Sequence, residues 1–276
     1  MDLALLAAIS SGAIWGIVPS LYAEASRYGG SVRANFWKSL GAFLFLLPLC
    51  YLTGNLIIPP VMGLLFIAAN MSLGTGLGDY SFLKAIGLIG PGRATSISFT
   101  YVVWTAFLSS FLLGEPLTPL ILLGALLAVS GIWVLSYRGG RWKFYGLLWS
   151  IIASLSWTLG PIAAKLALNY VSELTMTLWN SLLTTVLYGS LSIPRYRVKG
   201  LKKALLGGLL GVGIALPMYF YALNVVGVTI ATLATAIGPP TSQLASHISG
   251  DRISARDVLG SLLVALGLVL SVIGRT

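Results

Sequence analysis

Apolar residues run along this chain in blocks of about twenty, separated by short polar, glycine- or proline-bearing breaks. As helices, such blocks cross roughly 30 Å of hydrocarbon at about 1.5 Å per residue. Ten spans are expected, at 3–22, 34–52, 61–83, 94–113, 119–136, 145–168, 174–193, 203–223, 228–247 and 257–273. Polar and apolar positions do not alternate, which excludes an outer-membrane barrel. Only Asp2 precedes the first block, and no Lys or Arg does, so it lacks the basic flank of a signal peptide and is read as a mature helix.

Composition agrees with that pattern. Of 276 residues, 57% are hydrophobic and 9% charged, against about 25% charged in an ordinary soluble domain. The net charge of +10 orients the chain and does not mark a nucleic-acid partner. Of 17 basic residues, fifteen fall on one side of the expected bilayer, leaving only Lys165 and Arg275 on the other. The positive-inside rule puts the fifteen in the cytoplasm, beside anionic lipid headgroups. Both termini of a ten-span chain are then expected outside a plasma membrane. A single Cys50 and a single His247 leave no disulfide, cysteine cluster or histidine metal site to expect, and no cofactor is expected.

The chain also repeats itself. Trp15-x-x-x-Pro19 in the first span reappears as Trp157-x-x-x-Pro161 in the sixth, and Trp37 maps onto Trp179 at the same offset of 142. Phe82-x-x-Ala85-Ile86 and Tyr219-x-x-Ala222-Leu223 stand 137 apart, and Gly114-Glu115 and Gly250-Asp251 each follow the next span. Residues 1–137 and 144–276 therefore read as two five-helix units joined by a basic linker, 138–143. Five is odd, so the second unit enters from the opposite side. The expected fold is all-α polytopic, with ten transmembrane helices as two inverted five-helix repeats. Inverted repeats are a recurring plan of secondary transporters, with the solute held near the midplane.

With these motifs the sequence resembles the drug/metabolite transporter superfamily, in its EamA-like branch, over essentially the whole chain. The resemblance implies a central cavity bounded by spans 1, 3, 4, 6, 8 and 9, peripheral spans 5 and 10, and export of small metabolites. It also implies termini in the cytoplasm. The fifteen-to-two charge bias points the other way, and the expectation here follows the charges.

Candidate chemistry begins at Gly76-Leu77-Gly78-Asp79, which spells the Gly-x-Gly-Asp of intramembrane aspartyl proteases. Such a protease needs two carboxylates sharing one proton. Every other acid here lies at a helix end or in a loop, so the second half is missing. Asp79 is instead a carboxylate within a span, expected either to anchor a helix end on Lys84, Lys38 or Arg93, or to face a cavity and bind a proton or a cationic group. Trp15 and Trp157 stand one turn before Pro19 and Pro161, each an aromatic face beside a kink. Tyr101 and Trp104 in span 4, Tyr219 in span 8, and Pro239 and Gln243 in span 9 complete the expected substrate-binding set. The doubled Pro239-Pro240 is expected to break span 9 and free carbonyls toward the centre. Lys38 is expected to snorkel toward the cytosolic boundary.

The sequence thus points to a transporter and not an enzyme: no P-loop, dinucleotide fingerprint or hydrolase motif occurs. The expected partners are a small-molecule substrate, membrane lipid and protons as the coupling ion, in a monomer or weak dimer. An amino acid or similar metabolite fits a largely uncharged aromatic pocket. A multidrug or cation exporter using Asp79 is the alternative within transport. An intramembrane enzyme would need clustered acids or histidines, which the sequence lacks.

Overall fold

The computed structural model describes residues 2–136, 144–192, 199–248 and 254–274. The linker 138–143, the Gly250-Asp251 pair and the side chains of Gln243 and His247 lie outside the described residues. The described chain is helical throughout, with no strand. Its helices are α1 (Asp2–Gly29), α2 (Ser31–Leu52), α3 (Val61–Ile89), α4 (Pro91–Leu113), α5 (Pro119–Ser136), α6 (Phe144–Ala167), α7 (Glu173–Leu191), α8 (Leu201–Val226), α9 (228–248) and α10 (Ala255–Ile273).

Six of these, α1, α2, α3, α4, α6 and α8, are long and apolar enough to cross a membrane. The apolar parts of α5 and α10 are shorter. Helix α7 is diluted by buried Thr177, Asn180, Ser181 and Thr184, and α9 is interrupted. Several helices outrun the apolar blocks: α1 continues through Glu24 and Arg27 to Gly29, and α3 continues through Lys84 to Ile89.

Backbone irregularities recur along the chain at one offset. Helix α3 is widened into π turns at Ser72–Gly78, and α8 at Leu209–Ile214, 137 residues later. The same offset relates Gly90 (φ 84°, ψ 162°) to Gly227 (φ 86°, ψ 165°), each a one-residue corner leading into the next helix. Only glycine takes that backbone readily. Helix α4 is broken at Phe99-Thr100, and α9 passes through a 3₁₀ turn at Thr235–Ile237 before restarting at Gly238. Pro239 and Pro240 occupy the first turn of that restart, where a missing N–H costs least.

Helices approach closely through small residues, as membrane helices do. Gly124 and Gly131 of α5 lie against Gly267 and Gly260 of α10, which makes these two an intimate outer pair. Gly12 and Gly16 of α1 lie against Thr235 and Gly238 of α9, and Gly41 of α2 against Leu205 of α8. The break in α9 is therefore packed onto α1. This corrects the expectation that Pro239 opens it toward the centre.

Glu115, just beyond α4, caps the start of α9. Its carboxylate accepts from the Val228 N–H (2.6 Å), the Thr229 N–H (2.8 Å) and the Thr229 hydroxyl (2.7 Å). Those donors have no partner within the helix, and a carboxylate there also meets the positive end of its dipole. Glu115→Ala is expected to cost about 1–2 kcal/mol, the upper range for a lost cap, read as a lowered midpoint of thermal unfolding in detergent.

Candidate functional site

Between α1, α3, α6 and α8 lies a cavity of about 130 Å³. Helix α1 contributes Trp15, Val18, Pro19 and Tyr22; α6 contributes Trp157, Gly160 and Pro161. Helix α3 presents Asn70, Gly74, Thr75, Asp79 and Phe82 across its π turns, and α8 presents Gly211, Val212, Leu216, Tyr219 and Phe220. Lys38 of α2, with Phe99 and Tyr101 of α4, completes the wall. Among the described residues, helices α5, α7, α9 and α10 contribute none to the lining.

The two tryptophans do matching work. Trp15 donates its indole N–H to the Gly211 carbonyl, 2.7 Å away in the π turns of α8. Trp157 donates to Oδ1 of Asp79 at 2.9 Å, where the π turns of α3 end. Each ring also meets an aromatic residue from the opposite half: Trp15 with Tyr219 at 5.2 Å and Trp157 with Phe82 at 4.9 Å between centroids. Pro19 and Pro161, one turn on, withhold the N–H that would bond the carbonyls of Trp15 and Trp157.

The Gly-x-Gly-Asp spelling has a packing explanation. A Cβ on Gly78 would stand 2.5 Å from Cδ1 and 2.6 Å from Nε1 of Trp157. Glycine there lets the indole lie on α3 and reach the carboxylate next to it. The other carboxylate oxygen, Oδ2, is ion-paired with Lys38. The Lys38 side chain is 3% exposed and that of Asp79 16%. Among the described residues that line the cavity, these two alone carry a formal charge.

Lys38 is the main correction to the sequence reading. It does not snorkel: it lies seven residues into α2, about 10 Å along the helix axis, and turns inward. Asn35, one turn earlier on the same face, donates to the Thr75 carbonyl at 2.8 Å. That face of α2 is thus clamped to the π turns of α3. Lys84, a candidate partner for Asp79, instead places its ammonium 4.0 Å from the Trp149 ring centroid, a cation–π contact.

Behind the cavity wall, a buried polar seam ties α3 to α6 and α7. Asn180 donates to Asn70 Oδ1 (2.6 Å), Thr75 donates to Asn180 Oδ1 (2.7 Å), and Asn70 donates to the Gly160 carbonyl (2.8 Å). Tyr188 donates to the Gly76 carbonyl at 3.1 Å. Wide turns misdirect their carbonyls, and Asn35 and Tyr188 supply donors that a hydrocarbon environment cannot.

Of the substrate-binding set expected from sequence, Trp15, Pro19, Asp79, Tyr101, Trp157, Pro161 and Tyr219 all border this one cavity. Tyr101 shares a 2.8 Å hydroxyl bond with Thr235. Trp104 does not border it and is 51% exposed. Pro239 is buried but is not among the lining residues, and the Gln243 side chain is outside those described. Sequence reasoning passed over Tyr22 and Phe220, and it named Lys38 as a possible partner of Asp79 while expecting it at the cytosolic boundary. The available signal was the i, i+3 pair Asn35 and Lys38, a polar stripe on one helix face matched to the lone carboxylate within a span.

This architecture is that of a multi-pass, all-helical membrane protein. The model of the EamA-like transporter family matches residues 2–137 and again residues 144–273, and the chain belongs to that family. An uncharacterized transporter of Archaeoglobus fulgidus is 23% identical over 171 residues, covering 62% of this chain and 60% of the relative's own length. The uncharacterized transporter YoaV of Bacillus subtilis is 21% identical over 217 residues, 73% of each chain. One solved structure, described only as "Crystal structure of protein", superposes with a TM-score of 0.75 at 18% identity, covering 99% of this chain and 97% of that one. The family match and the two relatives point to transporters, and the structural likeness shows the shared fold.

Proposed function

We propose that the protein is a secondary transporter that moves a small, net-neutral organic solute across the plasma membrane by alternating access. The observation that carries this reading is the central cavity itself. Both Trp-Pro kinks border it, and its walls are largely apolar and aromatic, with Asn70, Thr75 and one charge-balanced pair as their polar part. Two inverted five-helix units, 1–137 and 144–276, would form its two walls. The offset of 137 shared by π turns and glycine corners supports such a duplication. Each half then takes in turn the conformation of the other, opening the cavity first to one side and then to the other.

The solute is an amino acid or a similar hydrophobic metabolite, the direction is export, and protons are the coupling ion. The termini lie outside, as the fifteen-to-two distribution of basic residues supports. One chain holds both halves, so a monomer suffices for a pathway. A cationic drug is a poorer fit, because it would bring an unmatched charge into a cavity whose lining sums to zero formal charge.

Counterflow in liposomes tests the reading. Vesicles holding the purified protein and preloaded with unlabelled L-leucine or L-phenylalanine are expected to accumulate the labelled amino acid transiently. Protein-free vesicles are expected not to. Accumulation of tetraphenylphosphonium with no response to either amino acid would replace this reading by the cation-exporter one.

A further inference from the structure

We propose that Lys38 and Asp79 are the specificity-determining residues of the cavity, parting to receive the carboxylate and the ammonium of one zwitterionic solute. The proposal rests on the transport reading above and assigns its recognition to two side chains. They belong to different helices, α2 and α3, so they can separate without either helix unwinding.

Hydrogen-bonding capacity allows the exchange. An ammonium has three donors and each carboxylate oxygen two acceptor sites. Among the described residues Lys38 has one acceptor, Asp79 Oδ2, while Asp79 accepts from Lys38 and from the Trp157 indole. Both groups border the cavity with capacity to spare.

Charge balance selects the class of solute. The lining sums to zero formal charge. A lone cation or anion entering would leave one charge unmatched in a largely apolar chamber, which is costly. A zwitterion keeps the sum at zero and gives each buried charge an opposite partner.

The chamber also has a direction. The offsets that relate the two halves carry Lys38 onto Asn180 and Asp79 onto Leu216. The charged pole therefore occurs once, on the α2–α3 side. Val212, Leu216 and Phe220 of α8 line the cavity without charge, so the solute's apolar body lies against them. The second half holds together at the matching positions without an ion pair, so the fold itself does not call for one there.

Matched probes on the purified full-length protein decide the matter. L-leucine, L-leucinamide (cation only) and 4-methylpentanoate (anion only) share one apolar body and are titrated by calorimetry. Leucine is expected to bind at least about tenfold more tightly than either analogue, the scale of one lost charge-assisted hydrogen bond. The double variant Lys38→Met/Asp79→Leu, checked for a native-like unfolding midpoint, is expected to lose that preference. The exchanged variant Lys38→Asp/Asp79→Lys is expected to regain it.

Equal affinity for leucine and its analogues, or unchanged leucine binding in the folded double variant, overturns the assignment while leaving transport intact. Preference for leucinamide alone overturns it too, in favour of a simple cation site at Asp79. If none of the three probes binds while another solute is carried in liposomes, the pair assignment and the amino-acid reading both fall, and transport stands.

Discussion

Lys38→Met is expected to destabilise the protein by about 3–5 kcal/mol, the cost of removing one partner from a buried ion pair. The loss falls on Asp79, whose carboxylate is left among α2, α3 and α6 with only the Trp157 indole for support. Its 16% exposure to the cavity admits some water and pulls the figure toward the lower bound. Asp79→Leu added to Lys38→Met is expected to recover most of the loss, because a buried pair replaced by apolar groups of similar size is often neutral or better. Thermal unfolding of the single and double variants in one detergent checks both statements. If Lys38→Met melts with the wild type, the pair is not as buried as its exposures indicate.

Gly208→Val is expected to be the most damaging single change outside the cavity. A Cβ on Gly208 would overlap the backbone carbonyl of Lys38, which cannot swing aside as a side chain can. Helices α2 and α8 would have to separate, carrying Lys38 out of register with Asp79. Overpacking of this kind typically costs about 1–3 kcal/mol, and more where backbone must move. A leucine affinity at least about tenfold weaker should accompany it. Gly92→Ala is the control: its Cβ would meet nothing within 4 Å, and its backbone does not require glycine. That change is expected to leave both midpoint and affinity unchanged, or to raise the midpoint slightly through better helix propensity.

Much of the architecture could be read from residues because the governing signals are local. Runs of apolar residues locate helices, Trp-x-x-x-Pro marks a kink, and glycine corners such as Gly90 and Gly227 mark the connections. The Trp15 and Trp157 pair stood out for the same reason, since each motif repeats within one helix. What escaped was set by contacts between helices. Lys38 looks peripheral when counted from the end of its own span, and only the packing of α2 on α3 turns it inward. Trp104 looks equivalent to Tyr101 in a list of aromatic residues, yet Tyr101 is buried and Trp104 is half exposed, a difference set by which helices pack on α4. Pro239 breaks α9 as proline should, but glycines of α1 close over the break. The π turns left no mark that hydropathy could register, since a wide turn and a normal one are built from the same apolar residues.

Those wide turns have a geometric consequence for the charged pole. Each residue of an α-helix advances the face by about 100°. A turn that holds one residue extra therefore sets everything beyond it out of phase by that angle. Asp79 is the first residue after the widened stretch Ser72–Gly78. Were α3 to tighten there by a single residue, the carboxylate would rotate away from Lys38 like a key turned in a lock.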